Sequence, residues 1–310
     1  MTARVVVLAP SPQLTVTVED LAGEPDIHVH PGGQGVWQAR MITSLGGVEL
    51  CVTLGGEIGE VLRHLLEGPG ITVHAREVSS RNGAYVHDRR DGHRDEVVQM
   101  HGDPLTRHAL DDLYEVTLVR GMEAGVAVLS GPSDDRVVPH TLYERLTADL
   151  TANGCQVLLD LAGERLATAL PAGPTFVKIS HEELLADGLA SGGSVAELAA
   201  AARGIAGHGP GTVVVSRAAE PALALVEGEL FTVHVPALSP VDTRGGGDSM
   251  TAGLAAALAH GRPVLDGLRI GAAAGALNIA RHGLGSGDGE AVEALARRVE
   301  LRPVTGTVEA

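Results

Sequence analysis

Short apolar runs alternate with amphipathic stretches along most of the chain. Arg4–Leu8, Leu50–Leu54, Gly125–Ser130, Gln156–Asp160, Phe176–Ile179 and Thr212–Ser216 are too short for helices and rich in Val, Leu and Ile, so they predict buried strands. Ala222–Val226 and Leu230–Val235 add two more. Between them, Val36–Leu45, Ile58–Leu66, His140–Asn153, Ser194–His208, Ser249–His260 and Val264–Arg281 repeat apolar residues at helical spacing. Strands that are apolar throughout, alternating with amphipathic helices, predict a parallel sheet covered on both faces: a doubly wound α/β core. Ligands of such sheets sit at the carboxyl ends of the strands.

Two stretches break the rhythm. Leu14–Val18 alternates apolar and polar residues, and Ile27–Val29 continues in that style. Ala84–His87 and Glu96–Gln99 flank the turn-like run from Asp88 to Gly92. These predict a small inserted β layer, a lid formed by segments of about 11–35 and 79–103, within one domain of residues 1–310; a decorated sheet edge is the alternative. The lid valines Val16, Val18, Val29, Val86 and Val97 are too few for a core of their own, which predicts a homodimer through the lid.

Composition narrows the function. Of 310 residues, 23 are Lys or Arg and 39 Asp or Glu, a net charge of −16. That excess argues against a general nucleic-acid binder, which needs clustered cations. Apolar residues make up 44%, which excludes a disordered chain, while aromatics make up 2%, so the core must be aliphatic. Lys178 is the sole lysine and Trp37 the sole tryptophan. Cys51 and Cys155 cannot frame a chain of this size with disulfides, which predicts a reducing compartment, and no apolar run spans a membrane; the expected location is the cytoplasm.

The strongest chemical signal runs from Asp242 to Ser249, Asp-Thr-Arg-Gly-Gly-Gly-Asp-Ser, straight into a helix. Three glycines there let the backbone turn tightly and aim several N–H groups at one point, where the helix adds partial positive charge: an anion site. Asp248 is then either a chemical group or an N-cap carboxylate. A second cluster, Pro31-Gly32-Gly33-Gln34-Gly35, precedes another helix and marks either a place where lid and core meet a substrate or a flexible turn. His28 and His30 share a strand face, but no third metal ligand follows at credible spacing.

The order of these two clusters in such a chain resembles the ribokinase-like, or PfkB, family of carbohydrate kinases, and in particular its 1-phosphofructokinase branch. Residues 9–15, Leu54-Gly55-Gly56-Glu57-Ile58-Gly59, Leu129-Ser130-Gly131-Pro132, Lys178-Ile179-Ser180-His181-Glu182-Glu183-Leu184 and the run from Val241 to Ser249 carry the likeness along essentially the whole chain. The resemblance implies an ATP-dependent kinase acting on a sugar or sugar phosphate, with Mg²⁺. It implies Asp248 as catalytic base and the amides of Gly245, Gly246 and Gly247 as the anion hole. It implies Lys178, Ser216 and Arg244 at the nucleotide, Glu183 at the metal, and Thr15, Gly32, Gly33, Gln34, Trp37 and Arg81 at the substrate. Arg244 and Arg81 read equally well as solvated arginines, and Trp37 as a core residue.

The departures bear on the substrate. Gln34 stands where the family has Lys, Trp37 where it has Asn, and Thr15 where an Asp grips sugar hydroxyls. Ser180 replaces the Asn of the metal-linked motif, and the loop at 216–222 lacks the family's two glycines. A dianionic phosphate needs charge-assisted donors, so these changes predict that fructose 6-phosphate is a poor substrate. They also leave open a nucleoside kinase, with Trp37 stacking on a base, and a relative that binds metabolites without turnover.

Overall fold

A computed structural model describes residues 3–68, 70–132 and 134–304. With elements numbered in chain order, the core sheet has ten strands in the order β14-β13-β12-β11-β10-β9-β8-β1-β4-β5. The parallel part comprises β1 (Arg4–Ala9), β4 (Gly47–Leu54), β5 (Ile71–Glu77), β8 (Val126–Ser130), β9 (Gln156–Asp160), β10 (Phe176–Ser180) and β11 (Thr212–Arg217). Beyond β11 the chain turns back antiparallel through β12 (Glu220–Val226), β13 (Glu229–His234) and β14 (Glu300–Pro303).

Strand alternation divides the core into two layers. From β1, Val5, Val7 and Ala9 face one side, with α1 (Gln34–Thr43), α2 (Gly56–Leu66), α8 (Gly246–Ala259), α9 (Val264–Ile279) and α10 (Gly289–Ala296). Val6 and Leu8 face the other, with α3 (Arg107–Ala124), α4 (Thr141–Ala152), α5 (Gly163–Ala169), α6 (His181–Ala186) and α7 (Val195–Ala206). Helices α8 and α9 pack backbone to backbone: a Cβ on Gly253 would lie 2.8 Å from the Cα of Gly271. The Ala- and Gly-rich stretch is therefore a helix interface, and no helix among the described residues is long and apolar enough to cross a membrane. Cys51 and Cys155 are both free and buried, and burial pushes their thiols up to about 12.

The predicted elements are present, with others the pattern did not announce: β5, α3, α5, α6, α10 and β14. Helix α3 escapes because only a thin stripe of it, including Leu113 and Val116, is buried on an otherwise charged sequence.

The lid is a separate four-stranded sheet, β3-β2-β6-β7, from β2 (Gln13–Leu21), β3 (Glu24–Gly32), β6 (Ala84–Asp88) and β7 (Asp95–Met100). Its register gives the two faces opposite characters. Val16 pairs with Val29 and Val86, and Val86 with Val98, making one apolar face; Ile27, Val29 and Val98 on it are largely exposed. On the other face Thr15 pairs with His30 and Tyr85, and Thr17 with His28 and His87. Val97 does not join the apolar ladder as the strict alternation predicted. A register shift between Val86 and His87 puts Val98 opposite Val86 and Glu96 opposite His87, leaving Val97 in the bulge.

Candidate active site

The sheet reverses direction at β1: β4 and β5 extend one way, β8 to β11 the other. The crevice beyond the carboxyl ends of these strands is where open α/β sheets bind ligands. Helices α1 and α8 both begin beside it. Gly245 caps α8 in a left-handed conformation (φ 69°), and Gly246, Gly247 and Asp248 form the first turn. The first four amides of a helix have no partner within it, so this turn offers N–H donors and the positive end of the helix dipole to an anion. The turn and the lysine approach closely: a Cβ at 247 would lie 2.7 Å from Lys178 Nζ and 4.0 Å from Ser216 Oγ. Lys178 and Ser216 thus meet the glycine turn, and Ser216 at the end of β11 lies opposite Ser180 of β10.

Beneath the turn lies a buried polar network. Lys178 Nζ donates to Asp160 Oδ1 at 3.1 Å, while Gln38 Nε2 and Thr251 Oγ1 both donate to Asp160 Oδ2 at 2.8 Å. Ser130 donates to Gln38 Oε1, and Tyr143 donates to the Ser130 carbonyl at 3.2 Å. Asp160 is 3% exposed and Gln38 and Ser130 are fully buried, so each must find partners inside the protein. The network ties the ends of β8, β9 and β10 to α1 and α8. The sequence reading missed Asp160, Gln38, Ser130 and Thr251 as site residues. The signal for Asp160 was present: a carboxylate closing an apolar strand at the ligand-binding edge of the sheet.

Electrostatics at the turn are unusual. Burial first, then the negative charge of Asp160, push the Asp248 carboxyl up to about 7, against the opposing pull of Lys178 and a hydrogen bond from Gln34. Asp248 keeps partial solvent access, while dense packing around it makes its charge costly. For Lys178, burial favours the neutral amine, but the charges of Asp160, Asp248 and Glu183 overcome this and hold it as an ammonium. Glu183 also accepts from Ser180 N at 2.7 Å while its own N–H donates to Ser180 Oγ at 3.2 Å. The Ser that replaces the family's Asn is therefore a helix cap.

The other expected site residues divide. Gly32 and Thr15 pack tightly, since a Cβ on Gly32 would lie 2.2 Å from Thr15 Oγ1, a buried hydroxyl with no partner among the described residues. Gly33, in a left-handed region (φ 109°), precedes α1 and turns Gln34 toward Asp248. Trp37 is half-buried, its indole N–H has no partner among the described residues, and the Gly285 backbone abuts its main chain. Arg81 is held in a two-pronged pair with Asp103, at 2.9 and 3.1 Å. The Arg244 charge acts on His87 and Arg94 of the lid. The lid turn is latched to the glycine loop by Arg89 Nη1 to Asp242 Oδ2, 2.8 Å.

Comparison with known proteins gives this geometry its context. The profile of the pfkB family carbohydrate kinases matches residues 8–290. The chain is 31% identical over 255 residues to the ATP-dependent 6-phosphofructokinase isozyme 2 of Escherichia coli, covering 79% of this chain and 80% of that one. It is 26% identical over 264 residues to the 1-phosphofructokinase of Bacillus subtilis, covering 83% and 84%. The crystal structure of Escherichia coli phosphofructokinase-2 in complex with fructose-6-phosphate superposes with a TM-score of 0.79 at 25% identity, over 96% of this chain and 99% of that one. With a family match over nearly its full length, and a lid-bearing α/β core with a glycine turn ending in Asp248, the chain belongs to the pfkB family of carbohydrate kinases and is a sugar kinase.

Proposed function

We propose that the protein transfers the γ-phosphoryl group of ATP to a hydroxyl of a sugar or sugar phosphate, with Asp248 as the general base. The observation that carries this is the placement of Asp248 in the first turn of α8, beside Lys178, with its carboxyl pushed up to about 7. A base of that strength holds a proton well enough to accept one from an alcohol yet is largely free above neutrality. As the acceptor oxygen bonds to the γ-phosphorus, its proton passes to Asp248 and the bond to the β,γ-bridging oxygen breaks, releasing ADP. Lys178 and the amides of Gly246 and Gly247 face the charge that develops on the transferring group.

Glu183 would hold Mg²⁺. Three carboxylates, Asp160, Glu183 and Asp248, act on the single ammonium of Lys178, leaving an excess of negative charge that fits a divalent cation. Asp160 is buried with its oxygens taken by Gln38, Thr251 and Lys178, one Glu183 oxygen accepts from Ser180, and no cluster of three ligands occurs among the described residues. The fit is therefore to a hydrated ion gripped through its waters, which when bound would offset charge on the phosphates. The exposed apolar lid face around Ile27 and Val98 supports a homodimer, and the two buried free thiols support a cytoplasmic location.

The test is Asp248→Asn with a panel of fructose phosphates, free hexoses and nucleosides as acceptors. Loss of a general base lowers kcat by about 10²–10⁴, with ATP affinity unchanged. Wild-type kcat in the variant would overturn the assignment, and turnover of nucleosides alone would favour the nucleoside-kinase reading.

A further inference from the structure

A cavity of about 300 Å³ lies under the lid, beside the loop that leads into the glycine turn, and its walls are rich in cations. It is bounded by the polar face of the lid, by Arg40 from α1, by Asp242 and by residues 282–284. Part of its charge is already matched. Arg89 pairs with Asp242 at 2.8 Å and lies 3.5 Å from Glu19, and His28 lies 3.1 Å from Asp26. Two further guanidinium groups, Arg40 and Arg94, are matched less fully. Arg40 is half-buried, and none of the described residues makes a hydrogen bond or ion pair with its side chain. Arg94 lies 5.3 Å from the centre of the Tyr85 ring and is drawn to the Tyr85 hydroxyl and the Asp242 carboxylate, but its Nε is buried without an acceptor among the described residues. His87, 1% exposed, donates or accepts through Nε2 with Thr17 at 3.1 Å while its Nδ1 has no partner among the described residues.

Burying cations and an imidazole nitrogen short of partners is costly, and the protein sets Arg40, the Arg94 Nε and the His87 Nδ1 around one space, with His30 beside them. We propose that this cleft is a second anion site, taking the phosphate of a monoester on Arg40 and Arg94, with His30 and His87 as hydrogen-bond partners. Gln34, where the family's Lys would stand, is engaged with Asp248, so recognition of a phosphate passes from that position to the lid. As an acceptor-phosphate site the proposal rests on the kinase reading; as an anion site it does not.

The histidines provide a readout independent of turnover. Burial, together with the positive charges of Arg40, Arg94 and His28, holds His30 down at about 4. Burial and the charges of Arg94, Arg89, His30 and Arg244 do the same for His87. A phosphate placed between the arginines reverses the local field, so both imidazoles should take up protons at higher pH when it binds.

The experiment titrates the full-length protein with inorganic phosphate, without ATP, and follows the histidine Cε1–H resonances by NMR, assigned with His30→Gln and His87→Gln. Upward shifts of both midpoints are expected, with phosphate binding weakened about 10- to 100-fold in Arg94→Gln and Arg40→Gln. Arg94→Lys should retain part of the affinity, and the exposed Arg107→Gln all of it. Kinetics then identify the source of the phosphate. If Arg94→Gln raises KM for fructose 6-phosphate or fructose 1-phosphate but not for fructose, the site reads the acceptor's own phosphate. If those values stay put while inorganic phosphate alters the rate at saturating acceptor, it is an effector site, and the anion site stands. Histidine resonances unmoved by tens of millimolar phosphate, or undiminished binding in an Arg40→Gln, Arg94→Gln double variant, would overturn the proposal.

Discussion

Replacing Asp160 with Asn removes one negative charge from the centre of the buried network with almost no change of volume. In the wild-type protein Oδ2 accepts from Gln38 and Thr251, and Oδ1 accepts from Lys178. The amide can keep its carbonyl toward Gln38 and Thr251, but its NH₂ then faces the Lys178 ammonium, donor against donor. Breaking a buried ion pair from one side costs roughly 3–5 kcal/mol. Asp248 and Glu183 still act on Lys178, which places the loss near the lower end, about 3 kcal/mol. The same substitution removes the repulsion that Asp160 exerts on Asp248, so the Asp248 carboxyl becomes more acidic. The proton-transfer base works unprotonated: wild-type kcat/KM should rise with pH through about 7, and the variant's rise should fall at lower pH. The pH dependence of the stability loss follows from the same groups. Near pH 8 Asp248 is charged, and its relief from Asp160 offsets part of the cost. Near pH 5 it is protonated, offers no relief and no longer supports Lys178, so the loss is larger. Urea unfolding at both pH values and a pH–rate profile test all three points. A limb that does not move, or a stability loss greater at pH 8 than at pH 5, would refute the reasoning.

Other outcomes follow from single contacts. Because Asp248 binds its proton more tightly in the folded protein than in the unfolded chain, it contributes stability at low pH that is lost as pH rises through about 7. Asp248→Asn should therefore stabilise the fold at pH 8, on the order of 1–3 kcal/mol, and little at pH 5, as thermal unfolding at the two pH values would show. Gly253→Ala drives a Cβ to 2.8 Å from the Gly271 backbone and should destabilise by about 1–3 kcal/mol in denaturant unfolding. Ile27→Asp with Val98→Asp places charges on the exposed apolar lid face and should yield monomers in sedimentation at micromolar concentration, with far-UV circular dichroism unchanged.

The sequence by itself determined the architecture, because each core strand is apolar on both faces and each main helix carries its own stripe. Val5 to Ala9 could only be a strand buried between two layers, and the glycine turn before Asp248 could only open a helix. The inserted lid was equally legible from its strict alternation at Leu14–Val18, though not the bulge that exchanges Val97 for Val98, since a register shift depends on the partner strand. The glycine turn could be read because its chemistry is contiguous in the chain. The tertiary structure alone decided which polar residues act together. Ser130, Gln38, Asp160, Lys178 and Thr251 stand on five different elements, and only parallel pairing with helix packing brings them within hydrogen-bonding distance. It likewise turned Arg81 to Asp103, set Gln34 on Asp248, and gathered Arg40, Arg94, His30 and His87 around one cavity. Such pairings follow from distances in space between residues far apart in the chain, which hydrophobic periodicity does not encode.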